Sequence, residues 1–434
     1  MVRRLTQISF LGAAFLVLTA CPGLAANYDW GTTGVSDTTV VNNIEQLTDN
    51  PYNDGVVSGD YPTSSGFAPH PWNSTGDWIV YTANTTDINS SGNKEIFVSR
   101  PDGTGKTRLT DNLLEDSNAS FGTDGRIYFE RFNGSSHYEI WRMDSDGTNP
   151  ANLTAAHSGM QYERKVAPSP DSSKISYWSN NALWVANADG TGPVQVSKTG
   201  FELADYNGNY GWSPDSSRLA YNCYVTTDTT GYQWTYQICV VNADGTGHDQ
   251  LTDTLPGSGQ NSWPVWSPDG SKIAFLQESS PEYMVRTINP DGSGLVSVDA
   301  FSYSAPGWTN HNGPLSWSPD SNWLAYTKRW YNGPPDYTDY YTIHMANVNT
   351  LVKHQLTQDY SDYAPFWSPT GGQILFADSS NYSSRDANDA FGTGTGNNGG
   401  DLLLINLIGE YAPPTVTRFP WPMFLPAIEK AGKK

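Results

Sequence analysis

The chain has 434 residues, with 44 acidic side chains against 24 basic ones and a formal charge of −20. Neutralising nucleic-acid phosphates takes clustered Lys and Arg, and the sequence offers no such cluster, which argues against a nucleic-acid partner. Charged residues make up only 16%, while Gly (41), Pro (28) and aromatics (13%) are plentiful, so the composition suits strands joined by tight turns and not a helical bundle.

Residues 1–26 read as an export signal. Arg3 and Arg4 form a short basic region, and Leu5 to Ala20 is mostly apolar but too short to cross a bilayer comfortably. Leu18-Thr19-Ala20-Cys21 resembles a lipobox, in which Cys21 would carry a lipid anchor. Gly23-Leu24-Ala25 and Leu24-Ala25-Ala26 resemble ordinary cleavage sites, and both exits stay open. The expected location is exported: periplasmic, outer-membrane-associated as a lipoprotein, or secreted. Residues 27–65 follow as an extension that holds the phrase Ile44-Glu45-Gln46-Leu47-Thr48-Asp49-Asn50.

From residue 66 to 407 a unit recurs about every 50 residues. It opens on Trp212-Ser213-Pro214-Asp215, Trp266-Ser267-Pro268-Asp269 and Trp317-Ser318-Pro319-Asp320. Closer and more worn copies at Pro168, Trp367, Trp72 and Phe121 bring the count to seven. Pro presets φ for a turn, and Asp with Gly or Ser completes it. A second strand with period-two alternation follows each copy: Ile79/Tyr81, Ile127/Phe129, Ile175/Tyr177, Leu219/Tyr221, Ile273/Phe275, Leu324/Tyr326 and Ile374/Phe376. One apolar face per strand predicts half-burial. A third strand runs into an Asp-Gly hairpin turn at Asp102, Asp146, Asp189, Asp244 and Asp291. A turn explains these aspartates better than calcium binding does.

The fourth strand ends in Leu-Thr or a relative, as at Leu109-Thr110, Leu153-Thr154, Leu251-Thr252 and Leu356-Thr357. The seventh unit, ending near Leu407, has no such phrase after it, whereas Ile44 to Asn50 carries one before any first strand. The sequence therefore predicts an all-β fold. It is a single β-propeller of seven four-stranded blades, with strand 44–50 completing the last blade and removing an exposed edge. The Trp-Ser-Pro-Asp-Gly and Asn-x-Asp-Gly phrases resemble the WD40-like repeat (PD40) of the TolB propeller family over roughly residues 44 to 407. The resemblance implies the fold. Seven repeats, and no separate N-terminal α/β domain, leave the family's partners in doubt for this chain.

Cys223 and Cys239 fall in consecutive predicted strands and are expected opposite each other, close enough for a disulfide, as export permits. Long loops gather on one face of the ring, and there the candidate ligand contacts are Tyr162, Glu163, Arg164, Asp205, Tyr206, Tyr210, Trp308, His311, Trp330 and Tyr363. No cofactor is required; Asp386, Asn388 and Asp389 are weak Ca²⁺ candidates on a polar loop that fits no EF-hand. Residues 408–434 form a Pro-rich apolar tail that reads as a strap on the rim. With histidines scattered and no nucleophile elbow, the sequence favours a non-catalytic, monomeric binding module. It would engage an envelope or extracellular protein or glycan through the long-loop face. The alternative is a carbohydrate-active enzyme, a glycan lyase or glycosidase, on the same face.

Overall fold

The computed structural model describes residues 40–47, 70–85, 93–135, 137–157, 163–197, 209–226, 234–254, 259–279, 282–302, 314–331, 339–357, 362–378 and 401–408. Within them lie seven antiparallel sheets, six of four strands and one of three. Blade one holds β2 (Ile79–Thr85), β3 (Asn93–Ser99) and β4 (Thr107–Arg108), and its inner strand is reduced to a bridge from Trp72 to Ile79. Blade two holds β5 (Asp116–Phe121), β6 (Ile127–Phe132), β7 (Tyr138–Met143) and β8 (Ala151–Asn152). Blade three holds β9 (Arg164–Pro168), β10 (Lys174–Ser179), β11 (Ala182–Asn187) and β12 (Val194–Gln195). Blade four is β13 (Tyr210–Trp212), β14 (Arg218–Thr226), β15 (Trp234–Asn242) and β16 (Asp249–Gln250). Blade five is β17 (Gln260–Trp266), β18 (Ile273–Ser279), β19 (Glu282–Ile288) and β20 (Val296–Ser302). Blade six is β21 (Ser316–Trp317), β22 (Trp323–Tyr331), β23 (Asp339–Asn347) and β24 (Lys353–Gln355).

Blade seven joins the two ends of the chain. Its order is β1 (Val41–Gln46), β27 (Asp401–Leu407), β26 (Gln373–Asp378) and β25 (Asp362–Trp367). The closing strand begins three residues before Ile44, and Thr48 to Asn50 lie outside the described residues. Leu47 donates its N–H to Leu402 as Leu109 does to Ile96, Leu153 to Ile140, Leu251 to Ile238 and Leu356 to Ile343. The displaced phrase thus occupies the place of the missing seventh copy. The threonine of the phrase has a fixed task as well. The hydroxyls of Thr110, Thr154, Thr252 and Thr357 accept the N–H of Ile96, Ile140, Ile238 and Ile343, extending the ladder past the end of a very short fourth strand.

The second strands depart from the half-buried pattern. Both faces are covered: Ile79, Val80 and Tyr81 are all at 0% exposure, as are Leu219 and Ala220. Blades pack face to face, so a propeller strand has no wet side, and Ala220, Ala274 and Ala325 give the neighbouring blade room to approach. The aromatic of the opening phrase crosses that seam; Trp212 and Trp317 donate to the carbonyls of Ala167 and Val265 one blade back, at 3.2 and 3.1 Å.

The short turns close themselves. Ser213 donates to the Asp215 carboxylate at 2.6 Å, and that carboxylate accepts the Ser217 N–H at 3.1 Å. Ser169/Asp171, Ser267/Asp269 and Ser318/Asp320 repeat the arrangement. Neighbouring turns are latched together, since Ser216 and Ser321, each in a left-handed conformation, accept the N–H of Asp171 and Asp269. In the Asp-Gly turns, Asp146 takes the Thr148 N–H and hydroxyl, so the turn reading of these aspartates holds. Gly190 at φ +84° is required there, because a Cβ would strike the Leu153 carbonyl.

A disulfide joins Cys223 and Cys239 with Cα atoms 5.8 Å apart. The two are diagonal rather than opposite: Cys223 faces Gln237 and Cys239 faces Tyr221.

Candidate functional site

Ser-Pro-Asp and Asp-Gly turns share one face of the ring, so each inner strand starts at the opposite, long-loop face. Four inner strands carry a bulge there. Asn118, Lys165, Trp263 and Ala364 take φ values of 53°, 58°, 57° and 54°, each beside a register shift. A bulge re-aims the strand's side chains, and a non-glycine residue in this region persists only where its surroundings hold it. In blades two and three the holder is one carboxylate. Glu130 of β6 accepts the Lys165 N–H through Oε1 and the Asn118 side-chain amide through Oε2 at 2.8 Å. It pins two bulges on adjacent blades.

Around that carboxylate lies a dry, charged cluster. Glu130 is at 0% exposure, and burial pushes its carboxyl up, with Arg164 and Lys165 opposing. Lys165 is at 5%, and burial pushes its amine down to about 7 against the pull of Glu130. Glu163 is at 3%, and its Oε2 has no hydrogen-bond partner among the described residues. Burial pushes the Glu163 carboxyl up to about 7; its own N–H opposes that and the Glu139 charge adds to it. The Arg164 guanidinium lies over the Tyr138 ring, 3.9 Å from its centre. The Tyr138 hydroxyl donates to Glu115 at 3.0 Å, and Lys94 pairs with the same carboxylate at 3.2 Å. Asp116 is fully buried and receives Arg131 through two bonds of 2.6 and 2.7 Å.

Behind Glu163 stands Tyr177, whose hydroxyl lies 3.1 Å from His157 Nδ1. His157 Nε2 is 2.8 Å from the Gly190 carbonyl, which can only accept, so Nε2 carries the proton and Tyr177 donates to Nδ1.

The sequence-predicted contacts divide. Glu163 and Arg164 lie in the cluster. Tyr210 is buried, its hydroxyl donating to the carbonyls of Lys165 and, at 2.9 Å, Ser176; it is a strut between blades and not an open ligand contact. Trp330 and Tyr363 fall in β22 and β25, with side chains outside the described residues. Tyr162, Asp205, Tyr206, Trp308 and His311 lie outside them altogether, as do Cys21, the tail, and Asp386, Asn388 and Asp389. Sequence reading missed Glu130, Asp116, Arg131 and Tyr138. One signal was available: counting back five residues from the end of the inner strand gives Asp116, Glu163, Asn261 and Asp362, a repeated polar position at the mouth.

A ring of seven blades with a titratable cluster at one mouth defines a closed propeller with a chemically equipped face. The chain belongs to the PD40, TolB beta-propeller domain family, whose pattern matches residues 126–388. Among solved structures its fold is similar to the oligogalacturonate lyase of Vibrio parahaemolyticus, with a TM-score of 0.59, 13% identity, and 87% of this chain and 96% of that chain covered. An oligogalacturonate lyase in complex with manganese matches at a TM-score of 0.59 and 12% identity, again over 87% and 96%. A puromycin-hydrolyzing peptidase of Mycobacterium tuberculosis matches at 0.52 and 12%, over 74% of this chain and 52% of that one. At these identities the likeness is one of fold.

These comparisons correct the expectation of a non-catalytic binding module. The fold that matches nearly from end to end is one that carries a lyase, and the mouth holds ionisable groups with displaced affinities for protons. The manganese is said of that complex alone; among the described residues no group of three His, Cys, Asp or Glu side chains is placed to hold a metal ion.

Proposed function

We propose that the protein is an exported carbohydrate-active enzyme, a lyase that cleaves an acidic polysaccharide by β-elimination at the long-loop mouth. The observation that carries the reading is the run Glu163-Arg164-Lys165 at the start of β9, bent by a bulge and nearly dry, with a carboxyl and an amine both moved to about 7. The fold-level likeness to two lyases supports it.

Elimination from a uronate makes three demands. The sugar carboxylate must be neutralised so that the neighbouring C5–H becomes a stronger carbon acid. A base must take the C5 proton. An acid must protonate the departing glycosidic oxygen as the C4–O bond breaks and the C4=C5 double bond forms. Arg164 is the residue for the first task. Lys165, neutral above about 7, takes the proton on Nζ. Glu163, protonated below about 7, supplies the other.

The product absorbs ultraviolet light through its conjugated double bond, which gives a direct assay. Polygalacturonate, alginate and hyaluronan are the substrates to test. The base must be neutral and the acid protonated, so the rate should rise towards neutrality and fall beyond it, in a narrow bell centred near 7. Lys165→Met and Glu163→Gln should each lower kcat/KM by about 100-fold or more. Failure of all three polymers to yield unsaturated product overturns the reading.

A further inference from the structure

A groove of about 380 Å³ runs along the flank between blades four and five, away from the Glu163 cluster. Its walls include Thr254, Asn261, Gln277, Met284 and Arg286, together with Asp253, which does not pair with Arg286. Three of these residues hold a buried polar atom that has no hydrogen-bond partner among the described residues: Arg286 Nε, Gln277 Oε1 and Asn261 Oδ1.

The amides are oriented by what they already donate to. Asn261 gives its NH₂ to Gln237 Oε1 and Thr254 Oγ1, both at 2.9 Å. Gln277 gives its own to Thr254 Oγ1 at 2.9 Å. Among the described residues the carbonyl ends are therefore left facing no donor, although Asn261 is at 0% exposure and Gln277 at 9%. Buried groups of this kind in a folded protein call for a physical explanation.

Arg286 is the more unusual of the three. The bond its side chain makes is from Nη2 to the Met284 sulfur at 3.2 Å. Among the described residues no carboxylate pairs with it, whereas Arg131 has Asp116, Arg108 has Glu95 and Asp111, and Lys328 and Lys353 share Asp299. Burial works against its charge and no acidic group offsets that. In a chain of net charge −20, a half-buried guanidinium without an anion is a place where an anion fits.

The unmet groups specify the ligand. Arg286 wants an anionic oxygen, and two amide carbonyls want hydroxyl donors. Sulfate or phosphate would answer the first alone, and a neutral sugar the second alone. We propose that this groove is a second saccharide site that takes a sugar acid, its carboxylate on Arg286 and its hydroxyls donating to Gln277 and Asn261. The site stands on its own residues; its use as an anchor for the polymer cleaved at the mouth rests on the lyase reading.

Calorimetric titration of the full chain with monomeric galacturonate, and with galactose as the neutral control, tests this. Galacturonate should bind, with galactose about tenfold weaker or worse. Arg286→Gln should weaken galacturonate by about tenfold or more while leaving galactose unchanged, and Arg286→Lys should retain part of the affinity. Gln277→Leu should weaken both sugars, which separates the amides from the charge. Equal galacturonate affinity in wild type and Arg286→Gln overturns the proposal, and so does equal affinity for the two sugars. If Arg286-dependent binding is found but no polyuronate is cleaved, the groove stands and the lyase reading falls.

Discussion

The two faces of the ring solve opposite problems with the same residue types. At the short-turn face, aspartates sit half in water and each is satisfied by its own turn. Asp215 takes Ser213 and Ser217, and Asp102 takes the Thr104 N–H and hydroxyl, so these carboxyls are held below their ordinary values. At the long-loop face, Glu130 and Glu163 are sealed from water and their carboxyls are pushed up. One face uses acid groups to fix the backbone cheaply. The other holds them where ionisation is costly, a cost that catalysis can use.

Breaking the ring itself should have the largest effect, because neither face survives without it. Removing residues 40–47 exposes blade seven and strips away Val40, Val41, Ile44 and Leu47, all under 5% exposed. At about 1.5–3 kcal/mol for each buried side chain, the loss is comparable to the whole stability of a typical domain, about 5–15 kcal/mol. The truncated chain should lose its cooperative urea transition and aggregate through the bare edge of β27, as read by light scattering. A monomeric, equally stable product would show that closure is dispensable and that the faces are held by their own turns.

Glu163→Gln should separate the two faces, with an effect in the opposite direction. The folded carboxyl lies above its ordinary 4.5, so Glu163 costs nothing below that value, and the penalty grows as the pH rises to about 7 and is complete above it. The substitution should therefore stabilise the protein by on the order of 2 kcal/mol near pH 8 and leave it unchanged near pH 4. Urea denaturation at the two pH values measures both. Together with lost activity, a gain in stability would mark Glu163 as a residue kept against the interest of folding.

Much of the ring was legible in the sequence, and the reason is physical. Turn residues act locally: Ser213, Pro214 and Asp215 need only one another, so their spacing carries their purpose. The closing strand was legible because the Leu47 phrase repeats one that does the same job in blades one to four and six. The mouth was far less so. Glu130 sits in a strand where alternation suggests a wet face, and only the packing of one blade on another buries it. Its partners, Asn118 and Lys165, lie 12 and 35 residues away. Arg286 was invisible for the converse reason, since an arginine in a strand reads as solvated, and only the fold shows it half-buried with no described carboxylate offsetting its charge.

The smallest predicted effect probes the short-turn face. Burial works against the Asp215 charge, but the bonds from Ser213 and Ser217 outweigh it and hold its carboxyl below the ordinary 3.8. That stabilisation is complete above 3.8 and is lost as the pH falls through the lower folded value. Asp215→Ala should then cost about 1 kcal/mol at neutral pH, and the gap from wild type should narrow as acidification passes through the lowered folded value. The carboxyls of Asp171 and Asp269 are lowered by the same turn bonds, so wild type itself should soften over the same acid range. A gap that stays constant with pH would mean that Asp215 acts through turn geometry alone. The contrast between the faces would then be one of burial, with the charge of the turns contributing nothing.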